Sequence, residues 1–159
     1  MTLQIFSTAF RNGSSIPTKY AYGEVQGGKN ISPAFDWSGA PDETKSFALS
    51  IIDPHPVAKN WIHWFVINIP AAVTSISENA SQTKTMPPGS KELYNSYGEI
   101  GYGGPCPPFG SGKHPYECEI LALRVERMEL SERATLSQFK SAIEGKIIAR
   151  AKITGYYER

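Results

Sequence analysis

Cysteine is scarce in this chain, and neither sign of charge is in excess. Cys106 and Cys118 are the two cysteines. They are too few for a disulfide framework, and neither belongs to a Cys-x-x-Cys pair of the kind that builds a structural zinc site. Sixteen Lys and Arg against fifteen Asp and Glu leave a formal net charge of +1. With no Lys/Arg run either, there is no electrostatic case for nucleic acid or an acidic membrane surface. No segment reaches the roughly 18 consecutive apolar residues of a membrane-spanning helix. The opening residues, Met1 to Ser7, show neither the basic stretch nor the apolar core of a secretory signal. Free thiols without a leader predict a cytoplasmic protein. No internal repeat, low-complexity tract or linker divides the sequence.

What is present reads as one globular domain, residues 1–159, long enough to bury a sizeable core. The 14 glycines and 12 prolines are spread along the chain and suit many strands joined by turns. Ser46–Asp53 is short, apolar and stopped by Pro54. Its two-residue period puts Phe47, Leu49, Ile51 and Asp53 on one face. Trp61–Ile69 is apolar on both faces, as a central strand is, and strict alternation groups His63 with Phe65, Ile67 and Ile69. Tyr116–Val125 sets Tyr116, Cys118, Ile120 and Ala122 on one side. Weaker strands are expected near Leu3–Ser7, Ala34–Trp37 and Ala149–Tyr156. One helix is expected, with Thr135 as its cap and Gln138 completing a capping box. Leu136, Phe139, Ile143 and Ile147 form its apolar stripe, and Gly145 ends it. The fold class is therefore mainly β: an antiparallel sandwich of a large central sheet and a smaller one, with a short helix towards the C-terminus.

Between the second and third strong strands runs Gly98–His114, with six glycines and three prolines in 17 residues. Glycine admits close approach of backbone to a ligand, and proline stiffens the loop. Two motif matches there fail. Gly112-Lys113 ends like a phosphate-binding loop, but His114 stands where Ser or Thr is required, and Pro107 replaces the first glycine. Gly101-Tyr102-Gly103 begins like a dinucleotide fingerprint, but Cys106 occupies its last glycine position. The residues that carry chemistry lie at strand ends: Asp53 before Pro54, His63 at the start of its strand, and His114 and Tyr116 on one face directly after the loop.

Several blocks resemble the phosphatidylethanolamine-binding protein family, including the Raf kinase inhibitor-like proteins of bacteria. They are Asn30-Ile31-Ser32-Pro33-Ala34-Phe35-Asp36-Trp37, Asp53-Pro54 followed by His63-Trp64-Phe65-Val66-Ile67-Asn68-Ile69-Pro70, Gly103-Gly104-Pro105-Cys106-Pro107-Pro108 with His114-x-Tyr116, and Thr154-Gly155-Tyr156-Tyr157-Glu158-Arg159. The resemblance implies a small pocket for phosphate-like or carboxylate groups, with Asp53, His63, Pro108, His114 and Tyr116 as its ligand-binding residues. Glycine-rich backbone at Gly110 to Gly112 can add N–H donors as an anion nest. In this reading both imidazoles become cationic as pH falls, Tyr116 offers a neutral donor, and Asp53 orients and charges one histidine. The implied partners are a small anionic or phosphorylated ligand and, by the resemblance, a kinase or protease. Self-association as a homodimer stays open, and no cofactor is expected. Two positions depart from the family pattern: His55 stands in place of a second acid, and Pro115 in place of an arginine.

Bland roles compete at each position taken alone. Asp53 also suits a turn before proline, His63 a satisfied core histidine, and His114 and Tyr116 ordinary strand packing. A second function stays open as well. Asp53, His63 and His114 also suit a small hydrolase, as a two-histidine, one-carboxylate metal set or with His114 as general base. Ser111 lies in the right loop, although no Gly-x-Ser-x-Gly nucleophile motif surrounds it.

Overall fold

Apolar alternation, broken by glycine and proline, folds into two antiparallel sheets in a computed structural model that describes residues 2–159. The strands are β1 (Gln4–Phe6), β2 (Phe35–Ser38), β3 (Ser46–Asp53), β4 (Trp61–Pro70), β5 (Ser75–Ile76), β6 (Lys91–Glu92), β7 (His114–Leu123) and β8 (Ile147–Tyr157). One α-helix, α1 (Leu136–Ile143), lies between β7 and β8. The larger sheet has the order β6-β4-β3-β7-β8, and the smaller one the order β1-β2-β5. The expected mainly-β, two-sheet class holds. The helix precedes the last strand, β8, which covers the weaker strand expected near Ala149–Tyr156.

Two cores sandwich the large sheet. Leu3, Ile5, Phe35 and Trp37 from the small sheet meet Phe47, Leu49, Trp64 and Ile120 from the large one. On the opposite face Ala48, Phe65, Ile67 and Leu121 pack beneath Phe139 and Ile143 of α1. The Phe65 and Phe139 rings stack with centroids 4.4 Å apart, an offset aromatic contact that adds to simple burial.

The helix begins as its sequence predicts. The Thr135 hydroxyl accepts the Gln138 N–H at 3.1 Å, and the Gln138 side chain accepts the Thr135 N–H at 2.9 Å. It ends earlier than its apolar period suggests. Glu144 leaves helical geometry, and Gly145 takes a left-handed φ of 75°. Ile147 therefore joins the same apolar cluster from β8 rather than from a further helical turn.

The departure that matters for the site is in β4. Its pairing with β3 slips twice, between Ile51/Ile52 and between Phe47/Leu49. Ile51 faces Trp64 while Ile52 faces Ile62, so His63 is the extra residue of a β-bulge. Asn68, at φ 58°, occupies the second slip. Strict alternation assigned His63 to the face of Phe65 and Ile67, which is the helix-covered side. The bulge instead turns it to the side of Trp64 and Val66, against Tyr116.

Candidate functional site

Asp53 is the last residue of β3 and His114 the first of β7, and these neighbouring strands bring the two side chains together. The His114 Nδ1–H donates to Asp53 Oδ2 at 2.6 Å, and both side chains are buried. A buried carboxylate is tolerated only when its lone pairs are taken. The other oxygen, Oδ1, accepts the His55 backbone N–H at 2.9 Å, which closes the turn after β3. That turn lays the His55 ring flat on His114, with centroids 3.8 Å apart and planes 9° from parallel. His55 Nδ1 accepts the Val57 N–H at 3.1 Å, so the His55 ring proton resides on Nε2. The position that departs from the family pattern thus covers the histidine that Asp53 holds.

His63 is held differently. Its Nδ1–H donates to the Gly103 carbonyl at 2.7 Å, and the Gly103 N–H returns a bond to the His63 carbonyl at 2.9 Å. Glycine is required at this clamp by close approach. A Cβ at Gly103 would lie 2.5 Å from the Tyr97 ring, and one at Gly104 would lie 2.1 Å from the Tyr20 carbonyl oxygen. Burial pulls the His63 imidazole down to about 4, against weaker upward contributions from the Gly103 carbonyl and Asp53. Near neutral pH the ring is therefore uncharged, with its proton on Nδ1 and a lone pair on Nε2. Of the two imidazoles expected to become cationic as pH falls, His63 does so only towards about 4.

Asp53, His63, Pro108, His114 and Tyr116 line one cleft of about 440 Å³. Gly110 is not among its lining residues, and the Gly110 N–H donates to the Arg159 carbonyl at 3.2 Å. Tyr116 packs edge-on against His63, with centroids 5.0 Å apart. Burial drives its phenol well above the usual range, and its hydroxyl has no protein partner among the described residues. It is a permanently neutral donor at this site.

Sequence reasoning missed several wall residues, Glu24, Tyr97 and Arg159 among them, and favoured packing over a wall role for Trp61, which also lines the cleft. Trp61 brings a buried indole N–H that finds no acceptor among the described residues. Tyr97 stacks on Tyr22 at 3.9 Å and donates to the Gly104 carbonyl at 2.7 Å. Arg159 is the one Lys or Arg among the lining residues. Its Nε–H donates to the Pro107 carbonyl at 2.8 Å, and its guanidinium lies 4.1 Å above the Phe109 ring. Phe109 is 78% exposed, which puts the stacked cation at the mouth of the cleft. The signal for Arg159 lay in the C-terminal block, although nothing there tied that block to Asp53. Lys59 and Lys113 are solvated, as expected, and Cys118 is buried.

The sequence profile described as "Phosphatidylethanolamine-binding protein" matches residues 6–158. The chain belongs to the phosphatidylethanolamine-binding protein family. Its relatives include a UPF0098 protein of Aquifex aeolicus, 38% identical over 157 residues that cover 99% of this chain and 89% of that one. The crystal structure of Escherichia coli YbcL, described as a new member of the mammalian family, superposes with a TM-score of 0.92 at 34% identity, covering 100% of this chain and 99% of the other. The family homologue CT736 from Chlamydia trachomatis superposes at 0.84 and 37% identity, covering 99% and 98%. Membership carries the family's general ligand-binding role, and the names of the family and these relatives define no enzymatic activity. Among the described residues, no helix is long and apolar enough to cross a membrane.

Proposed function

We propose that the cleft is an anion-recognition site and that the chain is a ligand-binding regulatory module taking a phosphate or carboxylate group. The observation that supports this most is the Arg159 guanidinium, pinned at the mouth by Pro107 and Phe109 beside the buried Asp53–His114 couple. Arg159 uses Nε on the Pro107 carbonyl, which leaves its terminal N–H groups to form charge-assisted bonds with an anion. Tyr116 adds a neutral donor on the wall. His63 contributes a lone pair in place of a charge, so it selects a ligand that brings its own proton, such as a hydroxyl or a monoprotonated phosphate. A kinase or protease partner would use the site by inserting a phosphorylated or acidic side chain. The unpaired thiols of Cys106 and Cys118 agree with a reducing, cytoplasmic setting.

Calorimetry with inorganic phosphate and with phosphorylethanolamine, between about pH 5.5 and pH 8, tests the reading. Binding heat is expected for both anions and is lost in Arg159→Ala. His63 is already neutral across this window, so it adds no pH dependence to binding there. Asp53→Asn should remove the downfield proton resonance of the His114 Nδ1–H and weaken binding. No heat with either anion would count against the proposal.

A further inference from the structure

Ser111 stands on the far nitrogen of the histidine that Asp53 holds. Its Oγ lies 2.9 Å from His114 Nε2, while Nδ1 of the same ring is 2.6 Å from Asp53 Oδ2. Hydroxyl, imidazole and carboxylate are joined through one ring in the order nucleophile, base, orienting acid, the arrangement that activates a serine for acyl transfer. The carboxylate and the ring are buried, whereas Ser111 is half-buried and reachable from solvent. With the ionised carboxylate accepting from Nδ1–H, a neutral His114 ring presents its Nε2 lone pair to the serine hydroxyl. Ser111 is flanked by Gly110 and Gly112 at φ 75° and 87°, and a Cβ at either would meet nothing within 4 Å. The serine thus sits on a tight turn with open space on both sides. The next backbone N–H, that of Gly112, finds no acceptor among the described residues and so can serve a developing oxyanion.

One contact opposes this use and sets its condition. Ser111 Oγ is also 2.7 Å from the Pro108 carbonyl, and a single hydroxyl proton cannot serve two acceptors. When His114 carries both ring protons, Nε2–H donates to Oγ and the hydroxyl donates to Pro108. When the ring loses one proton, the hydroxyl turns to Nε2. The serine is therefore armed only after that loss. The groups facing His114 are Asp53 from β3, His55 stacked on its ring, Tyr116 on its own strand, and His63, Glu24 and Arg159 from the rest of the cleft.

We propose that Ser111, with His114 as base and Asp53 as positioning residue, hydrolyses small carboxylic esters that reach the serine from the solvent side of the Gly110–Gly112 turn. Ser111 Oγ bonds to the carbonyl carbon as its proton passes to His114 Nε2, and the carbonyl π pair moves onto oxygen. The adduct collapses, the carbon–oxygen bond to the leaving group breaks, and the departing alcohol takes the proton from Nε2. Water then attacks the acyl-serine through the same base, releasing a carboxylic acid and restoring the hydroxyl. No metal or redox partner enters the balance. The proposal extends beyond anion recognition and does not depend on it.

The test treats the full chain with p-nitrophenyl acetate and, separately, with a fluorophosphonate probe at about pH 6 and about pH 9. Released nitrophenolate, intact mass and peptide mapping are followed. One acyl or phosphonyl group is expected on the peptide containing Ser111, added faster at the higher pH. Ser111→Ala should lower the acylation rate by about 100-fold or more, with the melting temperature reporting that the fold is retained. Asp53→Asn should slow acylation and alter its pH–rate profile, which a purely structural loss would not do. No addition at Ser111 in the folded wild-type chain at the higher pH, or modification that survives Ser111→Ala, overturns the proposal. Phosphate calorimetry on the wild type reads the binding proposal separately, so either can fail alone.

Discussion

The two faces of the large sheet handle buried polarity in opposite ways. The face under α1 is closed by Phe65, Ile67, Leu121, Leu123, Phe139 and Ile143; among its buried polar side chains, Asn68 is satisfied by the backbone of Met128 and the Ser46 hydroxyl donates to the Val125 carbonyl. The other face carries Asp53, His63 and His114, three buried titratable groups at the strand ends. Each is held by a specific partner: a carboxylate for His114, a backbone carbonyl for His63, and two N–H donors for Asp53. A fold seeking stability alone would fill such positions with apolar side chains, since buried charge is at best neutral to stability. The contrast sets apolar packing on one face against the proposed binding site on the other.

Substitutions on the two faces should therefore separate stability from binding. Phe139→Ala removes the ring stacked on Phe65 and should lower unfolding free energy by about 3–5 kcal/mol. Urea titration would show this, with phosphate binding by the folded fraction unchanged. A loss of binding in that folded fraction would break the division between faces.

His63 gives the next largest effect, and one that depends on pH. Its folded value of about 4 lies below the ordinary 6.5, so between them the unfolded chain binds more protons than the folded one. Stability contributed by the neutral ring is complete above about pH 6.5 and is lost as pH falls towards about 4, a change of roughly 3 kcal/mol at most. Urea titrations across that range should show wild type losing this amount relative to His63→Gln. Parallel curves would mean that His63 is not held neutral by burial.

Thr135→Ala, on the helix side, removes one half of the capping box and should cost about 1 kcal/mol, visible as a modest drop in the urea midpoint. The smallest stability effect belongs to Arg159→Ala, expected within about 0.5 kcal/mol because its contacts are near the surface. The same variant should lose about tenfold or more in phosphate affinity. A variant that melts like wild type yet fails to bind would sharpen the comparison most.

Particular elements show how much was legible beforehand. The strand Ser46–Asp53, the Thr135 cap and the Gly/Pro loop were readable because alternation, capping chemistry and turn residues are local signals. Asp53, His63, Pro108, His114 and Tyr116 were picked out from ordered blocks, and they line one cleft. Gly145 marks the helix end as its turn chemistry implies, but Ile147, counted in the helical stripe, belongs to β8, because the same residue fits a helical period and a strand. His63 was assigned to the wrong face, because a bulge is set by how β4 registers against β3 and leaves no mark in β4 alone. Arg159, Tyr97 and Glu24 escape a reading of the sequence, because their neighbours at the cleft are distant along the chain.

The sequence by itself determined the mainly-β class, the helix start and the polar residue types that line the cleft, since these follow from periodicity and side-chain chemistry along a short stretch of chain. Tertiary structure alone decided which histidine is paired with Asp53, which one stays neutral and where the Arg159 guanidinium sits. Protonation and charge answer to burial and to partners that the fold brings together, as the Gly103 carbonyl at His63 and the Asp53 carboxylate at His114 do.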